Sequence, residues 1–323
     1  MARRPREVGW PADPEPLPHP VPDNHTHLDT ILAETDAAGW RGRASSGRAE
    51  GVPDGAASAD LTVADHLARA AAVGVDRVLT VGCDLPAIAW TVAAVREHAA
   101  MLGAVAVHPN EAVLHAGVRE VAPDGLDPDP RPRHEVPLDA AITQVADAAR
   151  AEPRIRAIGE TGLDHFRAGE RGRAVQREAF RAHLALAKEL GLPVQIHDRD
   201  AHDDVLDVLV RDGAPERTVF HCFSGDAALA GFAVAQGWYL SFAGPLTFAS
   251  SSALRAALHE VPLTQLLVET DAPYLAPHPV RGRPNAPYLL AATVRAVADE
   301  LGRDLGDVAQ ALSRTTEQVY GPW

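Results

Sequence analysis

Only two of the 323 residues are cysteine, and only one, Lys188, is lysine. Two cysteines make no disulfide framework, and their spacing fits no Cys-based zinc motif. Cys83 and Cys222 therefore read as small buried side chains of a protein in a reducing compartment. Aromatic residues make up 5% of the chain, and no run of 18 apolar residues occurs, so no membrane-spanning helix is expected. Arg3-Arg4 would suit a twin-arginine leader, but a Pro-rich stretch follows instead of an apolar one, and the expected location is the cytoplasm. Positive charge is scarce as well: 30 basic against 44 acidic side chains give a formal charge of −14. That balance argues against broad, non-specific coating of nucleic acid but leaves room for a local basic groove. What remains is the composition of a folded globular protein, 46% hydrophobic and 23% charged, with 15 histidines. A wholly disordered or collagen-like chain is excluded.

Residues 1–22 carry seven of the 26 prolines and no net charge, which predicts an extended, poorly ordered arm. Residues 33–61, rich in Gly, Ala, Ser and Asp, and residues 116–138, with five prolines, read as surface insertions. Without these three segments the chain is roughly 250 residues, the size of a (β/α)₈ barrel. The remainder alternates short β-rich runs with amphipathic helical patterns, which predicts a parallel sheet. The β-rich runs are Arg77–Gly82, Ala104–His108, Ile155–Glu160, Val194–His197, Thr218–His221, Tyr239–Phe242 and Leu266–Asp271, with an eighth around Pro22–His27. Helices are expected over 63–73, 86–99, 138–151, 175–190, 203–211, 227–236 and 252–259, then near 287–301 and 305–319. The clearest is 175–190, where apolar residues recur at helical spacing up to Leu190 and Gly191 follows as the stop. The fold class expected is α/β, a TIM-type barrel spanning 23–323.

The ends of these runs share a chemistry. His25 and His27 close the first, Glu160 the fourth, His197 the fifth, His221 the sixth and Asp271 the eighth. In such a barrel the C-terminal strand ends lie on one face, so these six side chains are expected to converge at an active site. Imidazole and carboxylate together suit a divalent metal. Residues two apart on a strand point the same way, so His25 and His27 can grip one ion together. Glu160 has two oxygens and can bridge two ions. His197 and His221 can hold the second ion, and Asp271 can complete the first and take a proton. Two ions about 3.5–4 Å apart would clamp a phosphate or carbonyl oxygen. Each residue alone has an ordinary structural reading, Glu160 as a helix cap and Asp271 before Ala-Pro as a turn residue. Their joint placement is what points to a metal site.

Five stretches carry a family resemblance: Asp23-Asn-His25-Thr-His27-Leu-Asp29, Ala157-Ile-Gly-Glu160-Thr-Gly-Leu-Asp164, Val194-Gln-Ile-His197-Asp-Arg199, His221-Cys-Phe-Ser-Gly225 and Val268-Glu-Thr-Asp271-Ala-Pro-Tyr-Leu275. In this order they resemble the TatD family of metal-dependent deoxyribonucleases, from about Asp23 to the C-terminus with the insertions left out. The resemblance implies a TIM-type barrel of the amidohydrolase superfamily. It implies hydrolysis of DNA phosphodiesters, as a 3′-5′ exonuclease or an endonuclease, by hydroxide attack with two divalent cations such as Mg²⁺, Mn²⁺ or Zn²⁺. Carried over by position, the ligands would be His25, His27, Glu160, His197, His221 and Asp271, with Glu160 shared and Asp271 and Glu160 catalytic. The chain departs from the family pattern at Ala106-Val107-His108-Pro109 and at Pro284-Asn285-Ala286-Pro287.

Four further residues are candidates for substrate contact, each with a structural alternative. His108 lies at a strand end and meets either substrate or a neighbouring loop. Arg199 follows His197 by two and suits a bidentate phosphate contact or an ion pair. Arg281 and Arg283, past strand eight, are phosphate contacts or solvated loop charges. Asp164 is expected to orient a metal ligand through a hydrogen bond. Phe223 stacks on a base or anchors a loop, and Cys222 packs. The expected substrate is DNA, single-stranded or end-bearing. Two alternatives stay open: hydrolysis of a small-molecule amide, lactone or phosphoester on the same barrel, and a non-catalytic metal-binding scaffold. The subtype whose metals are bridged by a carboxylated lysine is excluded, because Lys188 lies on a predicted helix.

Overall fold

The computed structural model describes residues 9–36 and 61–323. Eight parallel strands follow one another round a single sheet in sequence order. They are β1 Asp23–Thr26, β2 Val78–Gly82, β3 Met101–Val105, β4 Ile155–Asp164, β5 Val194–Arg199, β6 Thr218–Phe220, β7 Tyr239–Phe242 and β8 Leu266–Val268. The ring closes where Thr26 bridges Ala272 and Asn24 Nδ2 donates to the Val268 carbonyl at 2.9 Å. This is a nearly closed (β/α)₈ barrel of the TIM type.

The helices are α1 Leu28–Asp36, α2 Val63–Ala72, α3 Leu85–Glu97, α4 Pro109–His115, α5 Leu138–Ala151, α6 Glu170–Leu190, α7 His202–Asp212, α8 Ala227–Ala235, α9 Ser252–His259, α10 Leu290–Leu301 and α11 Leu305–Tyr320. Local chemistry sets their ends. Thr62 and Asp65 form a reciprocal capping box on α2, Asp84 accepts from the Ala87 amide at the start of α3, and Gly191 closes α6 in the left-handed region. Two layers of core result. Helix faces bury Phe180, Leu184, Val205, Leu290 and Val294 against the outside of the sheet. Leu79, Leu102, Val219 and Leu267 fill the barrel, closed by Tyr320 from α11.

The expected runs and the strands differ at their ends. The fourth run continues to Asp164, so Glu160 sits mid-strand. Between Ile158 and Thr161 the β4–β5 register slips, Gly159 and Glu160 of β4 standing against Gln195 alone on β5. Such a bulge re-aims a side chain, and here it concerns Glu160. β8 stops at Val268, and Asp271 lies beyond it with a φ of 52°. β3 also stops short, and His108 caps α4 instead of ending a strand.

The segments expected as arm and insertions need separate descriptions. Residues 9–22 are extended but packed down. Leu17 and Val21 are buried, their amides donate to the carbonyls of Val73 and Gly74, and Arg295 reaches the carbonyls of Glu15 and Pro16. An arm with two apolar anchors buries enough surface to lie on the barrel, which its proline content hides. Of the insertion expected at 33–61, residues 37–60 lie outside the described residues, and α1 runs into its start. The insertion at 116–138 is tied to the barrel. Glu111 on α4 takes both Arg133, at 2.6 and 2.8 Å, and His134, at 2.7 Å, while Glu120 accepts from the Gly172 amide on α6.

Candidate metal centre

All six expected side chains meet at the C-terminal mouth. Glu160 stands at their centre with one oxygen toward each group. Its Oε1 lies 3.7 Å from His27 Nε2 and 3.9 Å from His25 Nε2. Its Oε2 lies 2.6 Å from His221 Nε2 and 3.0 Å from His197 Nδ1. Asp271 Oδ1 joins the first group, 3.4 Å from His27 Nε2 and 4.0 Å from His25 Nε2.

The imidazoles are anchored from behind. His25 Nδ1 lies 3.1 Å from Gln195 Oε1, whose amide nitrogen donates to the Asn24 carbonyl. His27 Nδ1 lies 3.3 Å from the Val81 carbonyl, and His221 Nδ1 lies 3.2 Å from Glu269. An oxygen behind Nδ1 selects the tautomer that leaves Nε2 facing inward. His197 is turned the other way, with Nε2 at 3.3 Å from Asp164 and Nδ1 toward Glu160. Gly162 lets this pair approach: its φ is 144°, and a Cβ there would sit 2.0 Å from the His197 carbonyl oxygen.

Charge inside the cluster is strongly coupled. Burial alone would raise the Glu160 carboxyl, but His221, His108 and His197 outweigh it and hold it well below the usual range. Burial would lower His27 and His197, yet Asp271 and Glu160 hold the first up to about 9, and Asp164 and Glu160 hold the second there too. His25, wholly buried beside His221, is pushed well below 6.5. Two carboxylates among imidazoles that are each held from behind by an oxygen make the donor set of a divalent cation. The residues present fit a divalent cation: His25, His27 and Asp271 stand within ligating reach of one another, and Glu160 faces both this group and the pair His197 and His221.

The other candidates divide. His108 does two things: its Nδ1 accepts from the Asn110 amide, capping α4, and its Nε2 faces Glu160 at 3.9 Å. Burial lowers it to about 4. Asp164 orients His197 and takes Asn110 Nδ2 at 3.0 Å, as an orienting residue should. Arg199 is exposed, with its guanidinium over the Phe166 ring at 4.1 Å. Arg281 is likewise exposed, over Phe248 at 4.7 Å. Arg283 turns away to the arm, donating to the carbonyls of Gly9 and Trp10. Phe223 is buried against Phe242 and is an anchor.

Sequence reasoning passed over three residues. Cys83 was read as packing, yet its Sγ lies 3.3 Å from Glu160 Oε1. Glu269, wholly buried, binds both His221 and the Cys222 amide. Asp23 ties β1 to the segment after β8 through the Thr270 amide and hydroxyl. Burial raises its carboxyl to about 8, against the lowering by those Thr270 bonds. Asp23 and Glu269 stood inside the quoted stretches, two residues before His25 and Asp271, and that spacing of two was the signal that could have found them.

Barrel and mouth together define a metal-dependent hydrolase. The chain belongs to the TatD related DNase family, whose model matches residues 22–321. It is 42% identical over 303 residues to an uncharacterized metal-dependent hydrolase, TatD, of Mycobacterium tuberculosis, covering 93% of this chain and 97% of that one. To the uncharacterized metal-dependent hydrolase YabD of Bacillus subtilis it is 30% identical over 262 residues, covering 81% and 93%. Among solved structures, the TatD homolog YJJV of Escherichia coli superposes with a TM-score of 0.68 at 26% identity, covering 80% of this chain and 91% of that one.

Proposed function

We propose that this chain is a two-metal phosphodiesterase that hydrolyses DNA, as a 3′-5′ exonuclease or an endonuclease. The observation that carries the reading is Glu160, with one carboxylate oxygen toward His25 and His27 and the other toward His197 and His221. Two divalent cations held there would supply Lewis acidity to a phosphoryl group and lower the pKa of water. The chain's own residues do the rest. Asp271, at the partly open edge of the cluster, accepts the proton of the attacking water. His108, neutral at physiological pH, presents Nε2 to the same space. Arg199 offsets the charge that develops on the phosphoryl oxygens.

The family supports a hydrolase, and the donor set supports divalent ions. Lys188 points away from the mouth, donating from α6 to the carbonyls of Asp212 and Gly213, so Glu160 takes the bridging role a carboxylated lysine has elsewhere. No helix among the described residues is long and apolar enough to cross a membrane. A cytoplasmic location belongs to the same reading, and the two free cysteines support it.

End-labelled single- and double-stranded DNA incubated with Mg²⁺, Mn²⁺ or Zn²⁺ tests the proposal. Metal-dependent cleavage by the native chain and none by Asp271→Asn is the expected result. Amides, lactones and small phosphoesters run alongside make the test two-sided, since rapid turnover of one of these with intact DNA would overturn the reading.

A further inference from the structure

Two exposed rings stand on opposite walls of the mouth. Phe166, 36% exposed, follows Asp164 by two residues on the loop leaving β4. Tyr274, 46% exposed, follows Asp271 by three on the segment leaving β8. Strands run in order round the barrel, so β4 and β8 face each other across it. Each ring adjoins one half of the cluster. Tyr274 meets His27 edge-on, with ring centroids 5.8 Å apart, and its amide donates to the Asp271 carbonyl at 2.9 Å. Phe166 lies under the guanidinium of Arg199, two residues from His197.

We infer that Phe166 and Tyr274 are stacking subsites for unpaired nucleobases, one on each side of the phosphate at the cluster. The inference rests on the phosphodiesterase reading and adds where the bases on either side of the cleaved bond lie. Every base has an apolar face, so rings receive bases without regard to sequence. In a duplex those faces are already stacked on neighbours, so occupation of both rings requires a single strand or a frayed end. Charge agrees with this occupant: Arg199 behind Phe166 and Arg281 over Phe248 put exposed guanidiniums beside the path of the sugar-phosphate backbone.

The test compares KM for a short single-stranded oligonucleotide with KM for the same oligonucleotide made abasic on both sides of the scissile phosphate. Phe166→Ala and Tyr274→Ala are each expected to raise KM for the full oligonucleotide about ten-fold. Neither should raise KM for the abasic one, and Phe166→Tyr and Tyr274→Phe should restore the native value. A 2-aminopurine at either flanking position should lose fluorescence on binding and regain it when the matching ring is removed. An unchanged KM on the full oligonucleotide, or an equal rise on the abasic one, overturns the stacking role while cleavage by the native chain leaves the phosphodiesterase reading standing. Native chain that cleaves no DNA in any form overturns both.

Discussion

At the scale of single residues, the centre depends on groups behind the imidazoles as well as on the imidazoles themselves. Glu269 has no exposure and holds His221 from behind, so removing it frees the imidazole to rotate and leaves the Cys222 amide without its acceptor. Loss of such a partner weakens metal affinity about 10–100-fold. Glu269→Ala should show that loss in a calorimetric metal titration, and affinity equal to the native chain would refute the orienting role. His183 makes a different prediction. Its Nε2 accepts from the Val107 amide and its Nδ1 faces the Ala179 carbonyl, so it is neutral in the fold, with its pKa lowered to about 4 by burial. The unfolded value is about 6.5. Its contribution to stability is complete above that value and is lost as pH falls toward 4, because the unfolded chain takes up a proton that the folded one refuses. Between pH 6.5 and 5 the loss is about 2 kcal/mol. A urea midpoint that falls over this range in the native chain, and falls less in His183→Gln, is the expected outcome.

At the scale of elements, the arm makes the clearest prediction. If residues 9–22 lie on the barrel as an integral strap, Leu17→Ala should cost about 2–3 kcal/mol, read as a lower urea midpoint. An arm without fixed structure would give no change. The strap was not legible because prolines signal an extended chain and say nothing of what two isolated apolar residues bury against. The strands were legible, since continuous β-branched runs buried on both faces have few other readings. Their ends were not. Nothing local to Ile155–Glu160 announces the bulge that carries β4 on to Asp164. Helices α1 and α4 were missed because they are short and follow directly on segments that read as strand or loop. The convergence of the six side chains was more legible than the boundaries. Six ligand candidates could be placed by the rule that strand ends converge, whereas Cys83 and Glu269 depend on partners 77 and 48 residues away.

For the whole molecule, the formal charge of −14 bears on the proposed DNA substrate. Among the described residues, Arg199 and Arg281 near the mouth lie over rings and Arg167 pairs with Asp124, so on the proposed reading attraction for phosphate would come mainly from the cations. Fluorescence anisotropy with labelled DNA at physiological salt should show weak binding in chelator and stronger binding with Mn²⁺. Tight, chelator-resistant binding to long duplex DNA would contradict this reading of the charge.

The central claim is that Glu160 joins two cation sites. An anomalous difference map from a crystal soaked in Mn²⁺ tests it most directly. The account predicts two peaks about 3.5–4 Å apart, one among His25, His27 and Asp271 and one beside His197 and His221, each within bonding distance of a different Glu160 oxygen. A single peak at saturating Mn²⁺, or two peaks that leave Glu160 unbound, would contradict it.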